Sequence, residues 1–189
     1  KPKELHAVVT ENRSRIITPD AELNRVLGGG LVNGSLILIG GQPGIGKSTL
    51  LLQFATRTDQ KVLYISGEES EEQIKMRADR VGIKNQNSYI YAETNINSIL
   101  KSAKQLDPGV IIVDSIQTIS SPFLDSTPGS VSQVRECTGE LQRFAKETNI
   151  PIFIIGHITK DGSIAGPKLL EHIVDVVLQF EGDRNYSYR

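Results

Sequence analysis

The residue types and spacing of one glycine-rich run, GGQPGIGKST at residues 40–49, predict a phosphate-binding loop. Gly41, Gly46, Lys47 and Ser48 fit the pattern G-x-x-x-x-G-K-[ST]. Glycines let successive backbone N–H groups turn inward around phosphate oxygens, and the N-terminus of the following helix adds partial positive charge. We expect Lys47 to reach the β- and γ-phosphates and Ser48 to ligate Mg²⁺. The predicted nucleotide-binding residues are Gly41, Gln42, Pro43, Gly44, Ile45, Gly46, Lys47, Ser48 and Thr49.

A second run, PGVIIVDSIQT, places Asp114 at the end of a stretch of aliphatic residues. An unpaired carboxylate there would be costly. A magnesium ion held beside Ser48, with Asp114 binding it through water, resolves that cost. The alternative is that Asp114 simply caps the next helix. The two runs together predict the binding of ATP with Mg²⁺.

Polar residues also follow two other apolar runs. In VLYISGEES, Glu68 and Glu69 come directly after the run, and in PIFIIGHITKDG the run ends at His157. A carboxylate near the γ-phosphate can orient and deprotonate water, which favours hydrolysis over transfer to a bound acceptor, so Glu68 is the predicted base. Glu69 is interpreted as a solvent-facing residue of the first helical turn. His157 is either a γ-phosphate sensor or a strand-end residue hydrogen-bonded to backbone.

The elements that position these residues alternate along the chain. Continuous apolar, β-branched runs predict strands buried on both faces, at residues 35–40, 62–66, 88–92, 110–114, 151–156 and 174–180. Segments with helical spacing separate them, for example KSTLLLQFATRT and VSQVRECTGELQRFAKET. A short helix precedes the first strand, with Thr18 or Asp20 as its cap. The alternation predicts an α/β fold, a mostly parallel doubly wound sheet with helices on both faces.

Composition limits the class of protein. A chain of 189 residues, 38% hydrophobic, suits one compact domain, and its net charge of −1 gives no overall basic field. The single cysteine, Cys137, excludes an internal disulfide or a cysteine-built zinc site and is interpreted as a buried thiol. No apolar run approaches the ~18 residues that span a membrane, and no signal-peptide pattern opens the chain. We therefore expect a cytoplasmic protein without a membrane partner, with an arm or linker at residues 1–17 and one domain at 18–189.

Several of these motifs together resemble the ATPase core of the bacterial RadA (Sms) family, RecA-superfamily proteins of DNA repair and recombination. The likeness covers roughly residues 16–189, and the combination of GHITKDG with GPKLLEH is its most specific part. The resemblance implies a RecA-like P-loop NTPase core with strand order 3-2-4-5-1. It assigns Lys47 and Ser48 to the Walker A pair, Asp114 to the Walker B carboxylate, Glu68 to the catalytic base and His157 to the γ-phosphate sensor.

The resemblance also implies partners and an assembly. Members of this family are similar to DnaB-type hexameric motors, whose rings encircle single-stranded DNA, translocate along it with ATP and promote branch migration, with a RecA-type recombinase as a partner. The two DNA-facing loops would fall at about 119–130 and 158–168. Lys160 and Lys168 are the candidate DNA contacts, although they could equally be ordinary solvated residues. Such contacts are mostly to phosphate and sensitive to salt.

The chain also departs from the family pattern. It lacks the four-cysteine zinc module and the Lon-protease-like domain, and it stops at Arg189, before the family's Lys-Asn-Arg-Phe-Gly motif. We therefore expect an excised core without zinc that binds ATP but hydrolyses it poorly and forms rings weakly, since arginine fingers contribute about 10³–10⁵ in rate. Arg184 could substitute for them. The alternatives are a KaiC-like nucleotide-switched regulator and a small-molecule kinase, although residues 120–130 offer no arginine-bearing lid.

Overall fold

The computed structural model describes residue 4, residues 15–157 and residues 167–182, except for the side chains of Pro167 and Lys168. Lys160, Arg184 and the second predicted DNA-facing loop up to residue 166 lie outside the described residues, as does most of the predicted arm. At the described end of that arm, Ile16 pairs with Leu31 in an antiparallel bridge.

One six-stranded parallel sheet forms the centre of the molecule, in the order β3-β2-β4-β5-β1-β6. The order 3-2-4-5-1 implied by the family resemblance is thus confirmed, with the sixth strand added beside β1. Strands β1, β2 and β4 are buried along their whole length, whereas the two edge strands are only partly buried. The strands are β1 Leu36–Gly41, β2 Val62–Ser66, β3 Ser88–Ala92, β4 Val110–Asp114, β5 Ile152–His157 and β6 Val176–Phe180.

Helices connect the strands, and the first, third, fourth and fifth of them begin at residues whose side chains cap them. Asp20 rather than Thr18 caps the first helix, accepting a hydrogen bond from the Leu23 amide, and Ser70 and Gln73 form a capping box at the third. The helices are α1 Ala21–Val26, α2 Lys47–Arg57, α3 Glu71–Val81, α4 Ile96–Leu106, α5 Val131–Thr148 and α6 Pro167–Leu170, with a 3₁₀ turn at Ile116–Thr118. No helix in the described ranges is both long and apolar enough to cross a bilayer.

Two apolar cores cover the two faces of the sheet, so the doubly wound architecture is confirmed. Helices α1, α2 and α3 pack on one face, around Leu51, Phe54 and Ile74. Helices α4 and α5 pack on the other, where Cys137 lies among aliphatic side chains. Cys137 is buried as predicted, and desolvation raises the pKa of its thiol to about 12. Because side chains alternate along a strand, Asp114 shares its face with Val110 and Ile112, the face that α2 covers.

Candidate nucleotide site

Most of the predicted nucleotide-site residues meet in one cavity of about 540 Å³ at the carboxyl ends of the central strands, although Gly41, Gln42 and Ile45 do not line it. Strand register brings them there, because Gly41 lies opposite His157 and Ser66 lies opposite Asp114. The crevice outside these strand ends is where open α/β sheets bind ligands. The cavity is lined by Pro43, Gly44, Gly46, Lys47, Ser48, Thr49, Ser66, Glu68, Glu69, Arg77, Asp114 and His157.

The loop before α2 has the shape that phosphate binding requires. Gly46 precedes α2 with φ of 114°, a left-handed conformation that side chains rarely adopt. No side chain of the described residues caps this helix, so the first-turn amides remain for a ligand at the positive end of the helix dipole. The loop therefore fits the phosphate groups of a nucleotide.

Lys47 lies within this loop and is only 3% exposed. Its Nζ donates hydrogen bonds to the carbonyl oxygens of Gly41 at 2.7 Å and Gln42 at 2.8 Å. Desolvation lowers the pKa of the ammonium, and the nearby Asp114 carboxylate opposes that shift. The structure thus holds a positive charge in the loop, where phosphate oxygens would be bound.

Asp114 is buried and accepts a hydrogen bond from the Tyr64 hydroxyl, with 2.6 Å between Oδ2 and Oη. It is not a helix cap, because Ser115 holds that position before the 3₁₀ turn, so the capping alternative is wrong. Asp114 and Ser48 line the same cavity, and their oxygen atoms suit Mg²⁺. The described residues contain no group of three or more His, Cys, Asp or Glu placed for a metal. This donor set fits a magnesium ion that keeps waters and phosphate oxygens as its other ligands.

Glu68 lies on the same side of the sheet as Lys47, in the turn after β2. Its Oε1 accepts a hydrogen bond from Ser115 Oγ at 2.9 Å and lies 3.7 Å from His157 Nε2. The side chain remains half exposed. His157 Nδ1 is buried and has no partner among the described residues, whereas its carbonyl accepts from Gln117 Nε2. The sensor and base predicted from sequence are therefore neighbours, and a water could reach Glu68.

The interpretation of Glu69 as a residue of the first helical turn is wrong. Helix α3 begins at Glu71, after the cap at Ser70, so Glu69 belongs to the turn before the helix. It faces the cavity and forms an ion pair with Arg77, with 2.9 Å between Oε2 and Nη2. The two adjacent glutamates thus have different partners, and only Glu68 contacts Ser115.

Sequence reasoning missed several polar residues of the site. They are Tyr64 and Arg77, which connect to Asp114 and Glu69, and Ser115 and Gln117, which follow β4. A signal existed for Tyr64, because it lies two residues before Ser66 on β2 and so faces the side of the sheet that Asp114 faces. Arg77 carried no such signal, since one arginine on a charged helix is usually solvated.

Gly67 fixes the turn that carries Glu68, and we expect Gly67→Ala to distort it. A Cβ at position 67 would lie 2.2 Å from Thr118 Oγ1 and 2.6 Å from Thr118 Cβ. Overpacking of this kind costs about 1–3 kcal/mol. Thermal unfolding should show this loss as a lower melting temperature. The rate of ATP hydrolysis should also fall, because Glu68 is displaced.

Two variants control the Gly67→Ala experiment. Gly139→Ala, on α5, adds the same methyl group where no atom lies within 4 Å, so it should not destabilise the protein. Thr118→Gly removes the clashing atoms and should reduce the cost of Gly67→Ala in the double variant. If Gly67→Ala destabilises the Thr118→Gly protein as much as it destabilises the wild type, the clash with Thr118 is not the cause of the lost stability.

Comparison with known proteins identifies the family. A protein-family model described as "AAA domain" matches residues 1–163. The chain belongs to this family. It is 54% identical to "DNA repair protein RadA" of Bacillus subtilis over 192 aligned residues and 56% identical over 191 to the protein of that name from Streptococcus pneumoniae. Each alignment covers 100% of this chain but 42% and 46% of those relatives, so the chain spans less than half of their length.

These identities confirm the resemblance to the RadA family. Solved structures confirm the fold at low identity. The structure titled "ATPase Domain of G40P" superposes with a TM-score of 0.74 at 16% identity, covering 93% of this chain and 79% of that one. The structure titled "The Structure Of A DnaB-Like Replicative Helicase And Its Interactions With Primase" superposes with a TM-score of 0.73 at 17% identity. The alignment covers 94% of this chain and 54% of that one. The chain therefore has the RecA-like P-loop ATPase fold predicted for it.

Proposed function

We propose that the chain is the ATP-binding and ATP-hydrolysing core of a DNA repair protein that moves on single-stranded DNA. The observation that carries the proposal is the meeting of Lys47, Ser48, Asp114 and Glu68 in one cavity. The relatives at 54–56% identity, which are named DNA repair protein RadA, support the biological role.

The positions of the side chains support the hydrolytic roles proposed for them. Lys47 and the amides at the start of α2 bind the phosphates, and Ser48 and Asp114 hold the metal, Asp114 through water. Magnesium, when bound, supplies charge that neutralises the phosphate oxygens. Glu68 takes a proton from the attacking water, and the Ser115 hydroxyl donates to the same carboxylate and orients it. His157, 3.7 Å from Glu68, senses the γ-phosphate from β5, between the two Walker strands.

The DNA-facing surface in this proposal includes residues 119–130. Phe123 is 83% exposed there, the most exposed of the large hydrophobic side chains described. Gln133, buried on α5, holds the loop by accepting from the Ser121 amide and donating to the carbonyl oxygens of Ser121, Leu124 and Ser126. A rigid loop that presents an aromatic ring suits stacking on an unpaired base.

The wider assembly belongs to the same proposal. We propose a hexameric ring of the DnaB type, translocation with branch migration, and a RecA-type recombinase as partner. The likeness to proteins named DNA repair protein RadA and to a DnaB-like helicase supports this part of the proposal. Lys160 and Lys168 stay predictions as phosphate contacts on the second loop.

Filter binding of labelled single-stranded DNA, with and without a non-hydrolysable ATP analogue, tests the DNA role. We expect binding that the analogue changes and that weakens by about 1–3 kcal/mol in Phe123→Ala, because one stacked base is lost. Tyr89→Ala, which removes an exposed ring on edge strand β3, is the matched control and should bind normally. Nucleotide binding without DNA binding would instead favour a KaiC-like regulator.

A further inference from the structure

Four polar side chains contact one another in series beside the nucleotide cavity, in the order Glu69, Arg77, Tyr64 and Asp114. Arg77 Nη2 lies 2.9 Å from Glu69 Oε2 and 3.4 Å from Tyr64 Oη. Tyr64 Oη lies 2.6 Å from Asp114 Oδ2. These side chains link the consecutive elements β2 and α3 to the end of β4, which lies 50 residues after Tyr64 in the sequence.

The direction of these hydrogen bonds is fixed by the chemistry of the groups. A guanidinium has donors but no acceptor, so the Tyr64 oxygen must accept from Arg77. The tyrosine has one hydroxyl proton, and it is therefore donated to Asp114. The hydrogen bond to Oδ2 therefore fixes the rotation of the Asp114 carboxylate, whose remaining lone pairs can accept from a metal-bound water.

The surroundings make this arrangement specific. Tyr64 is 1% exposed, so its hydroxyl is shielded from solvent, and its partners among the described residues are Arg77 and Asp114. Arg77 Nε is buried without a partner among the described residues, although an arginine on this outer helix could extend into water. Three carboxylates line the cavity, and Arg77 neutralises one of them, Glu69.

We propose that Tyr64 and Arg77 are positioning residues that hold Asp114 in the orientation required to bind magnesium with the nucleotide. Tyr64 contacts Asp114 directly, whereas Arg77 acts through Tyr64 and also keeps the Glu69 carboxylate bound to α3. This inference rests on the proposed function, because it concerns the same metal site. It predicts that both residues set the affinity for the metal without contacting the phosphates.

The test is a magnesium titration of the binding of a fluorescent ATP analogue, in the wild-type chain and in Tyr64→Phe. Loss of the hydroxyl should raise the magnesium concentration at half-saturation by about 10–100-fold, the usual effect of removing a hydrogen-bond partner of a metal ligand. Binding of the analogue in EDTA should be unchanged. Tyr89→Phe, on an exposed tyrosine of β3, is the matched control.

Variants of Arg77 separate positioning from general stabilisation. Arg77→Met should shift the titration in the same direction, Arg77→Lys should recover part of the shift, and Arg80→Met, an exposed arginine on the same helix, should have no effect. If Arg77 acts through Tyr64, adding Arg77→Met to Tyr64→Phe should add little. Should Tyr64→Phe fail to fold, the Arg77 and Arg80 titrations decide the question.

The outcomes distinguish this inference from the proposed function. An unchanged magnesium titration in Tyr64→Phe, or an equal loss of binding in EDTA, would overturn the positioning role. A wild-type chain that binds the analogue equally well with and without magnesium would overturn the metal site of the proposed function instead. Additive effects of the Tyr64 and Arg77 variants would show that Arg77 does not act through the tyrosine.

Discussion

Glu68→Gln is expected to lower the rate of ATP hydrolysis by about 10²–10⁴-fold, the usual contribution of a general base, while ATP still binds. The amide has nearly the same shape and can still accept the hydrogen bond from Ser115, so the turn should keep its geometry. It cannot take a proton from water. Single-turnover hydrolysis of radiolabelled ATP measures the rate, and fluorescence of a bound analogue measures the affinity.

Glu71→Gln provides the control for this experiment, because it removes the same charge from an exposed position three residues away. It should leave both the rate and the affinity unchanged. Glu69→Gln is the more informative comparison, since it breaks the ion pair with Arg77 but leaves Glu68 in place. Hydrolysis by Glu68→Gln at the wild-type rate would remove Glu68 as the base and leave a nucleotide-binding domain without an assigned catalytic carboxylate.

The sequence predicted the fold closely because buried parallel strands have a simple signature. The run VIIVD matches β4 residue for residue, and SYIYA matches β3. The segment with helical spacing VSQVRECTGELQRFAKET likewise matches α5, which begins after the cap Ser130. The strand order could not come from the pattern itself, because every buried run looks alike. It came from the family resemblance.

The site was predicted only in part, and the physical reason is register. Motif spacing identifies Lys47 and Asp114 because each is adjacent in sequence to the element that presents it. The strand order implied by the family resemblance makes β2 and β4 neighbours, but the hydrogen bond from Tyr64 to Asp114 also depends on how the two strands are aligned, which apolar runs do not encode.

The error at Glu69 had a different cause. The sequence S-E-E-Q at residues 70–73 is a capping box and places the start of α3 after Ser70. The interpretation of Glu69 rests on its charge and the helix dipole, and it neglects the cap at Ser70, three residues before Gln73. The competing signal was local and readable, so this part of the site was predictable from sequence.

Lys47→Met is expected to lower the affinity for ATP without lowering the stability of the fold. Loss of charge-assisted hydrogen bonds to the β- and γ-phosphates should weaken ATP binding by about 1.5–3 kcal/mol, or about 10–150-fold. Binding of AMP, which lacks those phosphates, should change little. Lys101→Met, an exposed lysine on α4, is the matched control, and titration with ATP, ADP and AMP measures the effect.

The free energy of unfolding should move differently from the affinity. Lys47 is buried, and its lowered pKa shows that the charged form carries a desolvation cost in the folded protein. Methionine fills a similar volume and removes that cost, whereas the opposing interaction with the Asp114 carboxylate is the smaller of the two effects on the lysine. We therefore expect Lys47→Met to unfold at the same temperature as the wild type or higher, measured without nucleotide.

A destabilised Lys47→Met would assign the lysine another role. Its ammonium donates to the carbonyl oxygens of Gly41 and Gln42, and those bonds could be what holds the loop in shape. In that case affinity and stability would fall together, and AMP binding would fall with them, because the whole loop would be disturbed. The alternative is that the Lys47 charge destabilises the fold without nucleotide and that phosphate binding offsets this cost. In that case Lys47→Met should lower the affinity for ATP without lowering the stability.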